Sequence, residues 1–364
     1  MNPDPAARHV AVLFNRDYHP GQADFAARAD VERTAHAIAA GLATHPGVRT
    51  TLVAAEDDPL VALAEIRAHA PDVVFNLCET LRGDAESECV IPAVLDMYGI
   101  RYTGSPALTL ATAVRKDRTK ALLRAQGVPT PPAVVVNAPL KRAPDFGFPM
   151  ICKPVSEDGS LGISAASVVH TLRALNTQIT VLTDTYAQPV LVEKYISGRE
   201  INVPLLEGQI LPWSEIDFTG MPKGLPPIIT YIGKWDEESE EYRGSVPRLA
   251  PRFAPKVRAS IAQAAAGAFT ALECRGYARV DLRVDAEGQP YVIDINPNCD
   301  LSAQGGFFKA VRAARLSYAD MVLHIAQLAL GAPLVIPHPS HSLDVHPRLG
   351  AAPRLSGSLG RLHT

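Results

Sequence analysis

The segment RVDLRVDAEGQPYVIDINPN, from Arg279 to Asn298, sets two runs of alternating apolar and polar residues on either side of a glycine. This pattern is typical of a two-stranded β-hairpin. With the turn centred on Glu287-Gly288, Asp281 lies opposite Asp294. Carboxylates opposed across a strand pair, with Cβ atoms about 4.5–5.5 Å apart, destabilise the pair unless a cation compensates them. The segment therefore predicts a hairpin that concentrates negative charge on one side.

The two-residue period of a strand divides this hairpin into two faces. One face carries the polar residues Arg279, Asp281, Arg283, Asp294 and Asn296. The other face carries Val280, Leu282, Val284, Ile293 and Ile295. We expect the apolar face to pack in a core and the polar face to carry the chemistry.

Two interpretations of the polar face stay open on this segment alone. A magnesium site would use Asp281, Asp294 and the amide oxygen of Asn296, because magnesium prefers oxygen ligands. A zinc site would more often recruit Cys or His. Alternatively, Arg279 and Arg283 neutralise both aspartates in a salt-bridge ladder on a solvated sheet face.

Bulk properties restrict the class of protein. A chain of 364 residues exceeds the size at which a single core keeps growing, so two or three lobes are expected. The formal charge of −3 and the lack of a basic run predict neither a nucleic-acid nor a membrane partner. Five scattered cysteines without a C-x-x-C pair are typical of reduced thiols. With no signal peptide and no long apolar run, we expect a cytoplasmic protein.

The first 113 residues alternate strand and helix patterns, with apolar runs at 9–14 and 72–77 around an amphipathic helix at 31–42. Such alternation favours a parallel sheet flanked by helices. Downstream, periodicity and the Gly and Pro positions predict helices at 107–113, 116–126, 255–274 and 318–330. Strands are predicted at 133–136, 150–153 and 190–196, and over most of 201–300, which a polar loop at 231–244 interrupts.

A turn rich in small and polar residues, at 156–162, follows the strand that ends in Lys153. The backbone amides of such a turn, which contains Gly159 and Gly162, can cradle phosphate, and a nearby ammonium adds a point charge. An ordinary hairpin turn beside a surface lysine explains the same residues, and Lys116 at a helix start is equally ambiguous. The chain contains neither a P-loop motif nor a convincing G-x-G-x-x-G after its first strand.

The order of these motifs resembles the ATP-grasp superfamily and, within it, the D-alanine:D-alanine ligases. The resemblance covers about residues 10 to 330. It rests on Lys116, on FPMICKP at 148–154 with GSLG at 159–162, on VEKYISGRE at 192–200, on RVD at 279–281 and on DINPN at 294–298. The YTGS segment at 102–105 agrees with it.

The resemblance implies an α/β protein, α+β in the ATP-grasp part, with three lobes and a Rossmann-like parallel sheet at the N-terminus. The implied boundaries are an N-terminal domain over 1–113, a small central ATP-grasp domain over 114–196 and a C-terminal domain with the Mg/ATP site over 197–335. A weakly ordered tail is expected over 336–364, since it is rich in Pro, His and Ser and lacks periodicity. A homodimer is implied by resemblance only.

The resemblance also implies site roles, residue by residue. Lys116 and Lys153 would bind ATP phosphates under the loop that contains Gly159, Ser160 and Gly162. Glu193, Lys194 and Ile196 would meet the adenine, with Glu200 on the ribose. Asp281, Asp294 and Asn296 would hold two magnesium ions, for which manganese could substitute. Arg279, Ser160 and Lys234 would be the catalytic residues, with Lys234 contacting phosphate and Arg279 stabilising the tetrahedral intermediate.

The implied reaction is ADP-forming ligation of a carboxylate and an amine. A carboxylate attacks the ATP γ-phosphoryl group, and an amine then attacks the acyl phosphate. Positioning and electrostatic stabilisation supply most of the catalysis in such reactions. The alternatives are a genuine D-alanine:D-alanine ligase, a non-catalytic ATP-binding regulator and an ATP-grasp kinase.

Three departures from the D-alanine ligase pattern concern the substrate half. The glycine-rich His-Gly segment is replaced by FNLCET at 75–80, with Glu86 and Glu88 nearby, and the loop tyrosine is Trp235. CDLS at 299–302 stands where the family usually has Pro-Gly-Met. Because Asp300 would repel a carboxylate and attract an ammonium, we expect an amine or amino-acid acceptor other than D-alanine. Further substrate-side candidates are Ser302, Trp235, Glu32 and, as an alternative to Glu32, Asp30.

Overall fold

The computed structural model describes residues 8–17 and 25–331, and for 25–29 it describes the backbone only. The predicted tail at 336–364 lies outside these residues.

The N-terminal sheet is parallel, as predicted, and its strand order is β2-β1-β3. Tyr102 adds a parallel bridge to its edge at Val74. The elements are β1 (Arg8–Asn15), α1 (Phe25–Ala43), β2 (Val48–Ala55), α2 (Pro59–His69) and β3 (Val73–Asn76). The sequence did not single out β2 or α2, because the half-exposed pattern of β2 does not alternate cleanly.

Three helices lead away from this sheet. They are α3 (Val90–Met97), α4 (Ala107–Ala113) and α5 (Lys116–Ala125). The predictions for α4 and α5 are confirmed to within one residue. Because α5 begins at Lys116, this side chain is held at the start of a rigid element rather than on a loop.

The second sheet is antiparallel, with the order β4-β7-β5-β6, and α6 packs on it. Its elements are β4 (Ala133–Val136), β5 (Met150–Pro154), β6 (Val168–Val169), α6 (Leu172–Tyr186) and β7 (Val190–Lys194). Buried Met150, Leu175 and Val192 form the core between helix and sheet. The polar segments that follow β5 and β7 therefore leave from neighbouring strands.

The third sheet is antiparallel, and α9 (Pro255–Ala271) covers its apolar face. Its strands are β8 (Arg199–Leu206), β9 (Gln209–Ile210), β10 (Ser214–Asp217), β11 (Val246–Leu249), β12 (Tyr277–Val284) and β13 (Pro290–Asn296). The prediction of a loop over 231–244 was wrong, because two short helices form there, α7 (Tyr231–Trp235) and α8 (Glu240–Gly244). The side chains of Thr230 and Ser239 cap their N-termini.

The hairpin of β12 and β13 has the predicted register at its centre, with Asp281 opposite Asp294 and Arg279 opposite Asn296. The assignment of Ile293 to the core face was wrong. A bulge after Asp281 pairs Leu282 with Val292, so Val292 is fully buried and Ile293 is not. The backbone N–H of Val292 donates to the Pro129 carbonyl at 2.8 Å, which removes it from the regular ladder.

The last two helices, α10 (Gly306–Ala313) and α11 (Tyr318–Leu330), pack back onto the N-terminal sheet. Phe307, Met321 and Ile325 share one buried cluster with Val10 and Phe75. Helices of the predicted C-terminal domain thus pack against the N-terminal sheet, and residues distant in sequence meet there.

Candidate active site

Asp281 lies at the centre of the polar face of the hairpin and is paired with Arg279. Arg279 Nε and Nη2 donate to the two carboxylate oxygens of Asp281, each at 2.8 Å. Asn202 on β8 donates to Asp281 Oδ1 at 2.7 Å. The salt-bridge interpretation of the hairpin therefore holds for this arginine.

Arg283 does not extend that ladder. It is buried, and it donates to Glu200 Oε2 at 2.9 Å and to the Tyr195 hydroxyl at 3.0 Å. It also donates to the Ile196 carbonyl at 3.1 Å. Arg283 thereby organises two residues predicted to meet the nucleotide, Glu200 and Ile196, and it leaves Asp294 without an arginine from the hairpin.

Asp294 faces Lys116, which comes from a distant part of the chain. Lys116 Nζ lies 3.8 Å from Asp294 Oδ2, and it contacts the Glu157 carbonyl and Asp158 Oδ1 at 2.5 and 3.4 Å. Burial opposes the charge of Lys116, but Asp294 and Asp158 outweigh it and raise its pKa to about 12. A permanent ammonium therefore stands between the carboxylate hairpin and the small-residue loop.

The donor set of the hairpin fits magnesium. An ionised carboxylate has about four acceptor positions, and three on Asp281 are used by Arg279 and Asn202. Among the residues that the structure describes, only the backbone N–H of Ile295 donates a hydrogen bond to Asp294, at 3.1 Å, and the side chain of Asp294 is 34% exposed. Within residues 8–17 and 25–331, no group of three or more His, Cys, Asp or Glu is arranged around a metal position. Two carboxylates and an amide leave most positions for water and phosphate oxygens, which is how magnesium is usually bound.

Lys153 and Glu193 meet across the strands β5 and β7. Lys153 Nζ lies 3.5 Å from Glu193 Oε1, and Glu193 is buried. Its other oxygen pairs with Lys120, a residue that sequence reasoning missed although it lies one helical turn after Lys116. Lys194 Nζ donates to the Phe148 carbonyl at 2.9 Å and therefore anchors the segment before β5.

The loop at 156–162 has the left-handed backbone of a tight cradle. Gly159 and Ser160 have φ of +64° and +65°, and Gly162 has φ of +75°. A Cβ on Gly162 would lie 2.6 Å from Pro154 Cγ, so this position has no room for a side chain. Trp235 Nε1 donates to the Gly159 carbonyl at 2.9 Å and thus ties the loop to α7.

The N-terminal lobe also contacts this site. Ser156 Oγ donates to Glu86 Oε1, and Asn298 Nδ2 donates to Glu88 Oε1 at 2.9 Å. The backbone N–H of Asn298 donates to Asn296 Oδ1 at 3.0 Å, which orients the predicted metal ligand. Burial and the charge of Asp158 raise the pKa of Glu88, whereas Asn298 opposes the shift. The two glutamates noted near the family's acidic pair are thus joined to the ATP-grasp part.

Acidic residues surround Lys234, at the end of the site that contains Glu79 and Asp300. Desolvation and the positive charge of Arg279 lower the pKa of Lys234, and Glu79 opposes them. Glu79 is exposed, yet desolvation by the protein around its carboxyl group and the negative charge of Asp300 raise its pKa. The negative charge of Asp30 contributes to the same shift.

Ser302 and Glu32 complete the set of substrate-side candidates. The backbone N–H of Ser302 donates to Asp300 Oδ1 at 2.7 Å, so this residue orients Asp300. Glu32 lies half-buried on α1. Throughout the described part of the chain, the helices are too short or too polar to cross a membrane.

Known proteins resemble this chain in sequence. The family model described as D-ala D-ala ligase C-terminus matches residues 122–327. An uncharacterized protein of Sinorhizobium fredii, y4sG, is 34% identical over 72% of this chain and 76% of its own length. A D-alanine–D-alanine ligase of Desulforudis audaxviator is 32% identical over 68% of this chain and 79% of its own.

Solved structures agree on the fold. The D-alanine–D-alanine ligase of Bacillus anthracis complexed with ATP matches with a TM-score of 0.70 at 20% identity. The match covers 89% of this chain and 98% of that structure. The three-sheet architecture is therefore the ATP-grasp fold of these ligases, as expected.

Proposed function

We propose that this chain, which belongs to the D-alanine–D-alanine ligase family of ATP-grasp proteins, is an ADP-forming ligase that joins a carboxylate to an amine. In the form we favour, an amino acid supplies the carboxylate, and an amine or a second amino acid is the acceptor. Its relatives support the ligase class, and the altered substrate half supports an acceptor other than D-alanine.

One observation carries the proposal: a cation and an acidic pair from distant segments converge. Lys116 lies 3.8 Å from Asp294, which stands opposite Asp281 in the hairpin. Arg279 adds a guanidinium that stays charged, because the neighbouring carboxylate of Asp281 raises its pKa. A protein that only binds ATP has no need of this additional, partly buried cation beside the acidic pair.

We infer that the nucleotide is ATP and that it binds with magnesium, because the related ligase was solved with ATP and the donor set suits a hard cation. Asp281, Asp294 and Asn296 would hold two magnesium ions, for which manganese could substitute. The bound metal would neutralise charge that develops on the transferred phosphoryl group. Lys116 and Lys153 would add positive charge, and the loop at 156–162 would exclude water.

The bond changes are those of the proposed ADP-forming ligation. An oxygen of the substrate carboxylate bonds to the γ-phosphorus while the bond to the β-phosphate oxygen breaks, and ADP leaves. The amine nitrogen then bonds to the acyl carbon, the carbon–oxygen bond to phosphate breaks, and a proton leaves the nitrogen. Arg279 is the fixed cation available to stabilise the oxyanion of this second step.

The acidic end of the site supports the altered acceptor. Asp300 and Glu79 interact electrostatically there, and Ser302 orients Asp300. A carboxylate at the acceptor end, that of Asp300, repels a substrate carboxylate and attracts an ammonium. Genuine D-alanine–D-alanine ligation is the alternative that this feature disfavours.

The test is ATP turnover with magnesium against pairs of amino acids and amines, with ADP, phosphate and product mass measured together. The proposal expects one pair to release ADP and phosphate in equal amounts with a new amide product. If no pair raises phosphate release above background, the protein is an ATP-binding regulator. ADP without phosphate identifies a kinase, and D-alanyl-D-alanine identifies the genuine ligase.

A further inference from the structure

Lys120 is a buried ammonium that has no role in the chemistry described above. Its Nζ lies 2.5 Å from Glu193 Oε2 and donates to the Thr130 hydroxyl at 3.0 Å. That hydroxyl donates in turn to the Val292 carbonyl at 2.8 Å. Helix α5, strand β7 and the hairpin thus all contribute to holding Lys120.

Glu193 is shared between two ammonium groups. Oε2 lies 2.5 Å from Lys120 Nζ, and Oε1 lies 3.5 Å from Lys153 Nζ. The exposed side-chain fraction is 2% for Glu193, 3% for Lys120 and 13% for Lys153. Because a buried charge is stable only when it is paired, Lys120 is the tight partner. Lys153 is the looser and more accessible one.

The three groups together carry one net positive charge. Burial lowers the pKa of Lys120, and the carboxylate of Glu193, 2.5 Å from its Nζ, opposes that shift. The excess charge is therefore available at Lys153, the most exposed member. An excess cation at the open side of a buried pair attracts an anion. If Lys120 were neutral, Lys153 would be the remaining partner of Glu193, and its charge would be cancelled inside the protein.

We propose that Lys120 is a positioning residue for the phosphate chain: it neutralises Glu193 and so leaves the charge of Lys153 for a nucleotide phosphate. This inference rests on the proposed function only for the identity of the anion. Its test requires nucleotide binding but no turnover. The inference about Lys120 can therefore fail while the ligase proposal stands, and the ligase proposal can fail while the inference about Lys120 stands.

The experiment compares the affinities of the full-length protein for ADP and for adenosine, in the presence of a metal chelator. Lys120→Met is expected to lower the ratio of ADP affinity to adenosine affinity about tenfold, the effect of losing one charge-assisted phosphate contact. Lys120→Arg keeps the charge and is expected to keep the ratio. An equal loss of affinity for both ligands in Lys120→Met would show a merely structural role and would overturn the proposal.

A double variant keeps the test decisive even where Lys120→Met fails to fold. Lys120→Met with Glu193→Gln leaves no unpaired buried charge, so it avoids the main cause of misfolding. Because Lys153 is then free of Glu193, the ratio is expected to return to the wild-type value. If the double variant keeps a low ratio, the charge of Lys120 itself attracts the phosphate and the proposed route through Glu193 is wrong.

Discussion

Replacing Arg279 with methionine separates its structural role from its catalytic one. Arg279 donates two hydrogen bonds of 2.8 Å to Asp281, and in the described part of the chain only Asn202 remains as a side-chain donor when they are lost. Breaking a buried ion pair costs about 3–5 kcal/mol. The two side chains are 25% and 13% exposed, so we expect a loss near the lower limit, about 3 kcal/mol. Denaturant unfolding measures this loss, and Arg279→Lys, which keeps the charge, is expected to lose less.

The catalytic effect of Arg279→Met is expected to be similar in free energy to its effect on stability, about 2.7–4 kcal/mol, and it is measured separately. At a temperature where the variant is folded, kcat should fall by about 10²–10³, the usual effect of removing an oxyanion contact. The affinity for ATP should stay unchanged, because Arg279 is assigned to acyl transfer and not to nucleotide binding. Phosphate release and calorimetric ATP binding measure the two quantities. Loss of stability with kcat preserved would refute the reasoning and leave Arg279 as a salt-bridge partner alone.

Three further substitutions test the metal ligand Asp294, the loop at 156–162 and the hydrogen bond from Trp235 that holds this loop. Asp294→Ala should abolish magnesium-dependent ATP turnover while circular dichroism shows a folded protein; retained activity would remove Asp294 from the metal site. Gly162→Ala should lower the free energy of unfolding by about 1–3 kcal/mol through strain and overpacking. Gly127→Ala is its control, because Gly127 has a similarly positive φ but a Cβ there would meet nothing within 4 Å. Equal losses of unfolding free energy in the two variants would contradict the clash at Gly162. Trp235→Phe removes one hydrogen bond to the loop and should raise the KM for ATP about fivefold, equivalent to about 1 kcal/mol. Trp213→Phe is the matched control, because the buried Nε1 of Trp213 has no hydrogen-bond partner in the described structure. An equal rise in KM in that variant would show that the hydrogen bond from Trp235 to the loop does not support ATP binding.

Local patterns predicted the hairpin well, because its turn and its alternation lie within one continuous segment. They failed at Ile293, because the bulge depends on a hydrogen bond from Val292 to Pro129, which is far away in sequence. They also failed over 231–244, where α7 and α8 are single turns whose caps are weak signals in a polar segment. Predictions of this kind succeed where neighbouring residues determine the geometry.

The sequence by itself determined the opposed carboxylates of Asp281 and Asp294, since strand period and turn position settle which residues face each other. The order of the motifs along the chain also identified the family. Only the tertiary structure decided that Lys116 meets Asp294, that Arg283 pairs with Glu200 and that Lys120 stands behind Glu193. These contacts join residues more than 70 positions apart, and they form only when separate sheets and helices pack together. Charge pairing at such distances depends on packing, which no local period encodes.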